Sequence, residues 1–464
     1  MRTHTPFRWL LALLLAVGSF SAAQASHIQG GDISFASIAS TTAGIPRYHI
    51  MVRSFINLAG GTTSSTIPLA FSNGGCYATV PNAFSANAPL TSTTNNLLVC
   101  TGYTVALYEV DVDLPPGQWQ IGFNGSARIN GIINMPTSAS QSCYISAYLD
   151  NTLPTQDSSP RFESVLQPSI SATALPPYSF SAFDSDGDSL RYEFILPYGA
   201  CGQPIAGTLS PHFGLNASTG ASTPIVSSGS TLGHYCSAVR VSEYRKTSTN
   251  RWVLLGYVTR DNLYSVISTA NQPPAFTTMQ VNGGAAQPLS TNVAVQPGQT
   301  VNVTLQVADP NAGQPLSFMS DAPKAVPGLS LTRIGTTNSE QLTWQVPATL
   351  PPGRYNITVG VLDDTCGSEE RTLTFVVGNT ALATRAAATA TDVFPVPFRE
   401  QVQFTTAPNQ AVILVDALGR EVARLTSQAD GLVRWLPAPA LPAGLYLARS
   451  ADSGLPLARL LRAE

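Results

Sequence analysis

Apolar and polar residues alternate with a period of two through long stretches of this chain. Tyr178 to Tyr192 and Val303 to Phe318 share one plan. Each has an alternating strand, an acidic turn (Asp184-Ser185-Asp186-Gly187-Asp188 in one, Asp309-Pro310-Asn311 in the other), and then Leu-x-aromatic opening another strand. Such alternation predicts strands with one buried face. A second repeat occurs as Leu114-Pro115-Pro116-Gly117-Gln118-Trp119, Leu350-Pro351-Pro352-Gly353-Arg354-Tyr355 and Leu441-Pro442-Ala443-Gly444-Leu445-Tyr446. Pro presets φ for a turn, Gly accepts positive φ, and the aromatic opens the next strand. Three distant copies predict three or more sandwiches. The expected fold class is all-β: tandem immunoglobulin- or cadherin-like β-sandwich domains with a β-sandwich at the C-terminus.

The chain start reads as a signal peptide. Arg2 and Arg8 precede the apolar run Trp9 to Val17, about half the length that spans a bilayer, and Ala23-Gln24-Ala25 offers a small-x-small cleavage site. Residues 1–25 are therefore assigned to it, and no stable membrane span is expected after cleavage. An N-terminal β domain follows at 26–165 and a cadherin-like one at 166–270. Asn271-Gln272-Pro273-Pro274 opens an immunoglobulin-like sandwich at 271–379, the Ala- and Thr-rich 380–391 forms a linker, and strand signals resume over 392–464.

Charged residues make up 11% of the chain, well below the quarter usual for globular proteins, so strands and turns are favoured over amphipathic helices. Loss of the leader takes the formal charge from −3 to −5, and the only lysines are Lys246 and Lys324. That excludes a nucleic-acid partner, which needs clustered cations. Of six cysteines none forms a Cys-x-x-Cys pair, which leaves zinc ribbons unsupported. For an exported chain the local pairs Cys76 with Cys100 and Cys201 with Cys236 are the preferred disulfides, although sequence alone does not fix the pairing.

The sharpest candidate chemistry is Asp184, Asp186 and Asp188 around Gly187. Three carboxylates on one tight turn suit calcium, which takes six to eight oxygens. An EF-hand is excluded, because its twelfth position falls on Ile195. A cadherin-like turn is the nearer analogy, with more oxygens from Asp261, Glu243 or backbone carbonyls. A solvated acidic turn bonded to nearby amides is the plainer alternative. Asp309 with Asn311, and Asp363 with Asp364, are weaker candidates of the same kind. Catalysis finds no motif: there is no His-Glu-x-x-His and no Gly-x-Ser-x-Gly, and spacing gives His212 and His234 no carboxylate partner. The chain is read as not an enzyme. Tyr103, Tyr108, Trp119, Tyr244, Trp252 and Tyr257 fall within alternating strands and are expected to pack in or near the core.

The last ~70 residues resemble the C-terminal sorting domain of the Bacteroidetes type IX secretion system. The resemblance rests on Phe394-Pro395-Val396-Pro397-Phe398, on Val412 to Val422 with its Leu418-Gly419-Arg420 turn, on Pro442, Gly444 and Tyr446, and on Arg459-Leu460-Leu461-Arg462. Val396 stands where that family has Asn. The resemblance implies export across the outer membrane, with the type IX machinery as partner and a secreted or cell-surface destination. Residues 26 to about 274 resemble the N-terminal region of gliding-motility-associated, adhesin-like surface proteins. The matching residues are Ser26 to Phe35, Tyr48 to Val52, Ser158-Ser159-Pro160-Arg161-Phe162, Asp184 to Leu190, Glu243-Tyr244-Arg245, Gly256, Arg260-Asp261 and Asn271 to Pro274. The function expected is a structural, adhesive or gliding-associated surface protein, its ligand or glycan unspecified. The alternatives are a carbohydrate-binding module protein, with the aromatics as sugar face, or an extracellular hydrolase.

Overall fold

The computed structural model describes residues 28–72, 83–96, 102–153, 156–247, 249–378, 393–417, 419–451 and 456–463. The expected signal peptide, Cys76, Cys100, the linker 380–391 and Leu418 lie outside the described residues. The chain is all-β and divides into two compact units, 1–378 and 379–464.

The first unit begins with seven antiparallel strands: β1 (Ile28–Ile38), β2 (Arg47–Asn57), β3 (Thr66–Ser72), β4 (Phe84–Asn96), β5 (Tyr103–Asp113), β6 (Gln118–Gly125) and β7 (Cys143–Asp150). They run in the order β1-β2-β5-β4-β3-β6-β7. This sheet curls until both edge strands meet one later strand, Trp252–Val266, which pairs with β7 at Gly256–Val258 and with β1 at Arg260–Asn262. Its other edge takes Gly233–Lys246, and that strand in turn takes Ser189–Ile195. Closure leaves the sheet no free edge at β1 or β7, where unpaired backbone groups are costly.

This overturns the boundary expected at 165/166. Strands from both expected domains share one sheet, and one apolar core runs from Ile28 to Val266. Strand Trp252–Val266 is buried along nearly its whole length because it has sheet on both sides, a role that period-two reading does not reveal.

Residues from Ala275 to Val377 form a sandwich. A five-stranded sheet (Ala275–Val281, Ala286–Gln287, Thr300–Ala308, Leu329–Arg333, Ser339–Gln345) faces a four-stranded one (Val293–Val295, Ser317–Phe318, Gly353–Leu362, Ser368–Val377). Trp344, Ile357, Val359 and Phe375 fill the layer between them, and Phe183 from the acidic-turn strand is inserted in the same core.

The second unit has its own core. Strands Val402–Thr405 and Leu432–Trp435 pair, and a four-stranded sheet runs Glu421–Thr426, Ala411–Asp416, Gly444–Ser450, Pro456–Arg462. Phe398, Trp435 and Tyr446 lie at its centre.

The Leu-Pro-x-Gly-x-aromatic repeat has one structural meaning in all three copies. Trp119 Nε1 donates to the Pro115 carbonyl at 2.9 Å, Tyr355 Oη to Pro351 at 2.8 Å and Tyr446 Oη to Pro442 at 2.6 Å. Each aromatic is buried and closes its own turn with its polar end.

Candidate metal centre

The acidic turn joins Ala182–Phe183 to Ser189–Ile195 and is tied by its own first residue. Asp184 Oδ1 accepts the amides of Asp186 (2.9 Å) and Asp188 (3.1 Å). Gly187 sits at φ +79°, a conformation L side chains rarely adopt. The next strand pairs with Gly233–Lys246 in the register Ser189↔Tyr244 and Leu190↔Glu243, which brings Glu243 and Arg245 to the turn. Glu243 faces Gly256 across the hairpin, and a Cβ there would come 2.3 Å from Glu243 Oε1. A fifth carboxylate arrives from the loop after β7. Asp157 is held by the Ser158 amide donating to Asp186 Oδ2 (2.7 Å), while Ser159 Oγ accepts the Phe35 amide (2.9 Å).

Among the described residues Arg245 is the cation that engages this cluster, and it reaches three of the five carboxylates. Arg245 makes a fork to Asp188 (Nε–Oδ1 2.7 Å, Nη2–Oδ2 2.5 Å), and Nη2 also reaches Asp157 Oδ1 at 2.8 Å and Asp186 Oδ2 at 3.8 Å. Glu243 is fully buried, receives no amide, hydroxyl or cationic donor of the described residues on either carboxylate oxygen, and has the Asp184 carboxyl as its neighbour. One oxygen each of buried Asp184 and Asp157 likewise takes no such donor. Burial, reinforced by neighbouring carboxylates, pushes the Asp184 carboxyl to about 7, and Asp157 to about 8 despite Arg245. The same causes hold Glu243 well above the carboxylate range.

Such a site is neutralised by protons or by a cation. Asp184, Asp188 and Glu243 form one group with ligand oxygens within 4.8 Å of one another, and Asp157, Asp186 and Asp188 form another. The donor set is all oxygen, which suits calcium, and the orphaned oxygens fit an ion that supplies their missing partner.

Asp184, Asp186 and Asp188 therefore stand together, joined by Glu243. Asp261 does not reach them: Arg128 engages it through Nη1 (2.8 Å) and Nη2 (2.6 Å). Successive strand residues face opposite ways. Arg260 thus turns to Asp32 (2.6 Å), which Arg53 also binds. Although burial raises it, the Asp32 carboxyl is held below its usual value by Arg53 and Arg260. These motif residues are structural ties. Asp309 accepts the Asn311 amide (2.7 Å) and Asp363 accepts from Gly367 N and Asn271 Nδ2, so both serve turns.

Among the remaining expectations, Cys201 is disulfide-bonded but Cys236 carries a free thiol, so a Cys201–Cys236 bridge is not formed. The Cys236 side chain is buried in an apolar cluster with Ile132, Met135 and Leu263, its thiol facing Asn134 Oδ1 at 3.6 Å. His212 and His234 meet Tyr264 and Ser265 hydroxyls, and burial lowers both. Tyr103, Tyr108 and Trp119 are buried, but Trp252 is 58% exposed, against expectation. It is the first residue of its strand, beside a turn.

In the C-terminal unit, Phe398 and Tyr446 are core residues packed on Trp435. The peptide bonds before Pro395 and Pro397 are cis. Gly419 and Arg420 form an exposed turn closed by Asp416, whose Oδ2 accepts from Arg420 Nε at 2.7 Å. Pro442 supplies the carbonyl that Tyr446 binds, and Gly444 starts the following strand.

No family model matches the chain, and no curated protein does. Solved structures resemble it at low identity. The N-terminal Ig1-2 module of Drosophila receptor protein tyrosine phosphatase DLAR is 14% identical, covering 48% of this chain and 100% of that one, with a TM-score of 0.21. The human Desmocollin-1 ectodomain is 12% identical over 86% of this chain and 74% of that one, TM-score 0.19. Bacteroides ovatus SGBP-B, in complex with a mixed-linkage heptasaccharide, is 11% identical over 65% and 66%, TM-score 0.15. Likeness of this depth assigns no function. Among the described residues no helix is long and apolar enough to cross a membrane.

Proposed function

We propose that this is a secreted, non-enzymatic cell-surface protein of structural, adhesive or gliding-associated type, stiffened by calcium at the acidic cluster. The observation that carries the reading is Glu243, a fully buried carboxyl that receives no amide or cationic donor of the described residues and is set among the carboxyls of Asp184, Asp188 and Asp157. A bound divalent ion would be held by Asp184, Asp188 and Glu243, with Asp157 and Asp186 beside it, and would supply the positive charge this group lacks. The acidic turn contacts Pro351 and Tyr355 of the sandwich, so the ion would fix the junction between the curled sheet and the sandwich. Rigidity at that junction suits a load-bearing surface protein.

For export we assign the type IX machinery. Support comes from the independent C-terminal β unit, whose motif residues Phe398 and Tyr446 build its core while Arg420 stays at the surface. The test is deletion of 392–464 in the native host. The truncated protein is expected to stay in the periplasm, and its normal delivery to the surface would refute the assignment.

A further inference from the structure

Beside the acidic cluster the surface opens into a cleft of about 530 Å³. One side is formed by the acidic turn and the end of the hairpin, the other by Gly353–Asn356 of the sandwich. Trp252 lines it with much of its indole in solvent. Its cross-strand partner Lys246 places its ammonium 5.8 Å from the ring centroid. Exposed Arg354 lines the same cleft, and the ion pairs of the sandwich run through Asp321, Lys324, Glu369 and Arg371 without engaging it. The polar lining also holds Asp184, Asp188 and Arg245, the last paired with Asp188, together with the Asp186 carboxylate, 30% exposed, and the Ser218 hydroxyl.

Among the described residues the cleft thus offers an exposed flat aromatic, two cations with no carboxylate partner (Lys246 and Arg354) and a carboxylate acceptor beside the Arg245–Asp188 pair. A sugar ring matches the aromatic with its C–H face and the carboxylate with its hydroxyls. The two cations select for charge, since a neutral glycan would leave both idle, whereas a carboxylate can bind the guanidinium fork.

We propose that this cleft binds an acidic polysaccharide through a uronate residue. The sugar ring lies against Trp252, its carboxylate meets Lys246 and Arg354, and its hydroxyls donate to Asp186. The inference shares Asp186 with the calcium reading, and Trp252 and Arg354, which are not ligands of the cluster, keep the two tests apart.

The test is calorimetric titration of the whole mature protein with a galacturonate hexamer and, separately, a neutral cellohexaose. The acidic oligomer is expected to bind and the neutral one to bind at least about tenfold more weakly, the scale of a charge-assisted contact. Trp252→Ala and Arg354→Ala should each weaken binding by about tenfold or more. Both positions are exposed, so the variants should melt with the parent. Absence of binding to the acidic oligomer, equal or better binding of the neutral one, or unchanged binding in either variant overturns the proposal. A failure here with calcium stabilisation intact removes the cleft ligand alone.

Discussion

Gly187 of the acidic turn touches Tyr355 of the sandwich so closely that a Cβ would stand 2.9 Å from the tyrosine hydroxyl and 2.9 Å from Pro351 Cβ. The two repeats visible in the sequence, acidic turn and Leu-Pro-x-Gly-x-aromatic turn, therefore meet here. Phe183, beside the turn, packs with its ring tilted by 33° and 5.4 Å from that of Tyr355 within the sandwich core. Gly187→Ala combines an unfavourable left-handed φ with a steric clash at this junction. It should destabilise the first unit by about 1–3 kcal/mol, read by urea denaturation. A variant as stable as the parent would show that the junction yields without cost.

Calcium should raise the melting temperature of the mature protein. An ion at one hundred times its dissociation constant stabilises by about 2.7 kcal/mol if it binds only the folded state. Glu243→Gln keeps the shape of the side chain and removes the buried charge, so it should abolish most of the calcium effect while leaving the calcium-free protein at least as stable as the parent. Thermal melts with and without calcium check both halves. No calcium shift in the parent would leave protonation as the means of neutralising the cluster.

The same carboxylates set the pH dependence. In the folded state Asp184 sits at about 7 and Asp157 at about 8, above the value near 4 of an unfolded chain. The native state then binds protons more tightly than the unfolded one, so their contribution to stability is greatest at low pH and is lost as pH rises from about 4 to about 8. Glu340 in the sandwich, raised by burial to about 8, acts in the same direction. Calcium binds the ionised form and should flatten the decline. Melting temperature followed from about pH 5 to about pH 8 in chelator tests this, and a calcium-free protein that becomes more stable over that range contradicts it.

The acidic turn was legible because its three aspartates are neighbours in sequence and the glycine between them marks a turn. Asp157 and Arg245 were not, since a long-range contact brings in the first, the Ser158 amide on Asp186, and strand pairing the second. Asp261 seemed an equal candidate to Glu243 until the strand direction sent it to Arg128. The alternation that identified strands also placed Trp252 in or near the core, because periodicity describes a strand's middle better than its first residue. The break at Asn271 to Pro274 was marked by composition, and the strands from Ala275 on build the sandwich, whose core also takes Phe183. The shared sheet before it depends on β1 pairing with Arg260–Asn262, a partner that no local pattern indicates.

Two further buried glutamates cross from one body of the first unit to the other. Glu370 accepts from Ser164 Oγ (2.5 Å) and from the Ser179 amide (3.2 Å), and Glu163 Oε2 accepts the Thr358 amide at 2.6 Å. Glu163 is fully buried, its Oε1 has no partner, and burial raises its carboxyl to about 8. Near pH 5 the group is protonated and nearly isosteric with an amide, so Glu163→Gln should then differ little from the parent. Near pH 8 the parent carries a growing negative charge that the fold does not compensate, while the glutamine still accepts from Thr358. The variant should therefore be more stable there by about 1–3 kcal/mol, the scale of an unpartnered buried polar group. Because Glu163 is not in the acidic cluster, calcium should not alter this difference. Paired melts at the two pH values check the claim. A variant less stable than the parent at the higher pH would mean that the Glu163 carboxylate is stabilised by its surroundings rather than tolerated.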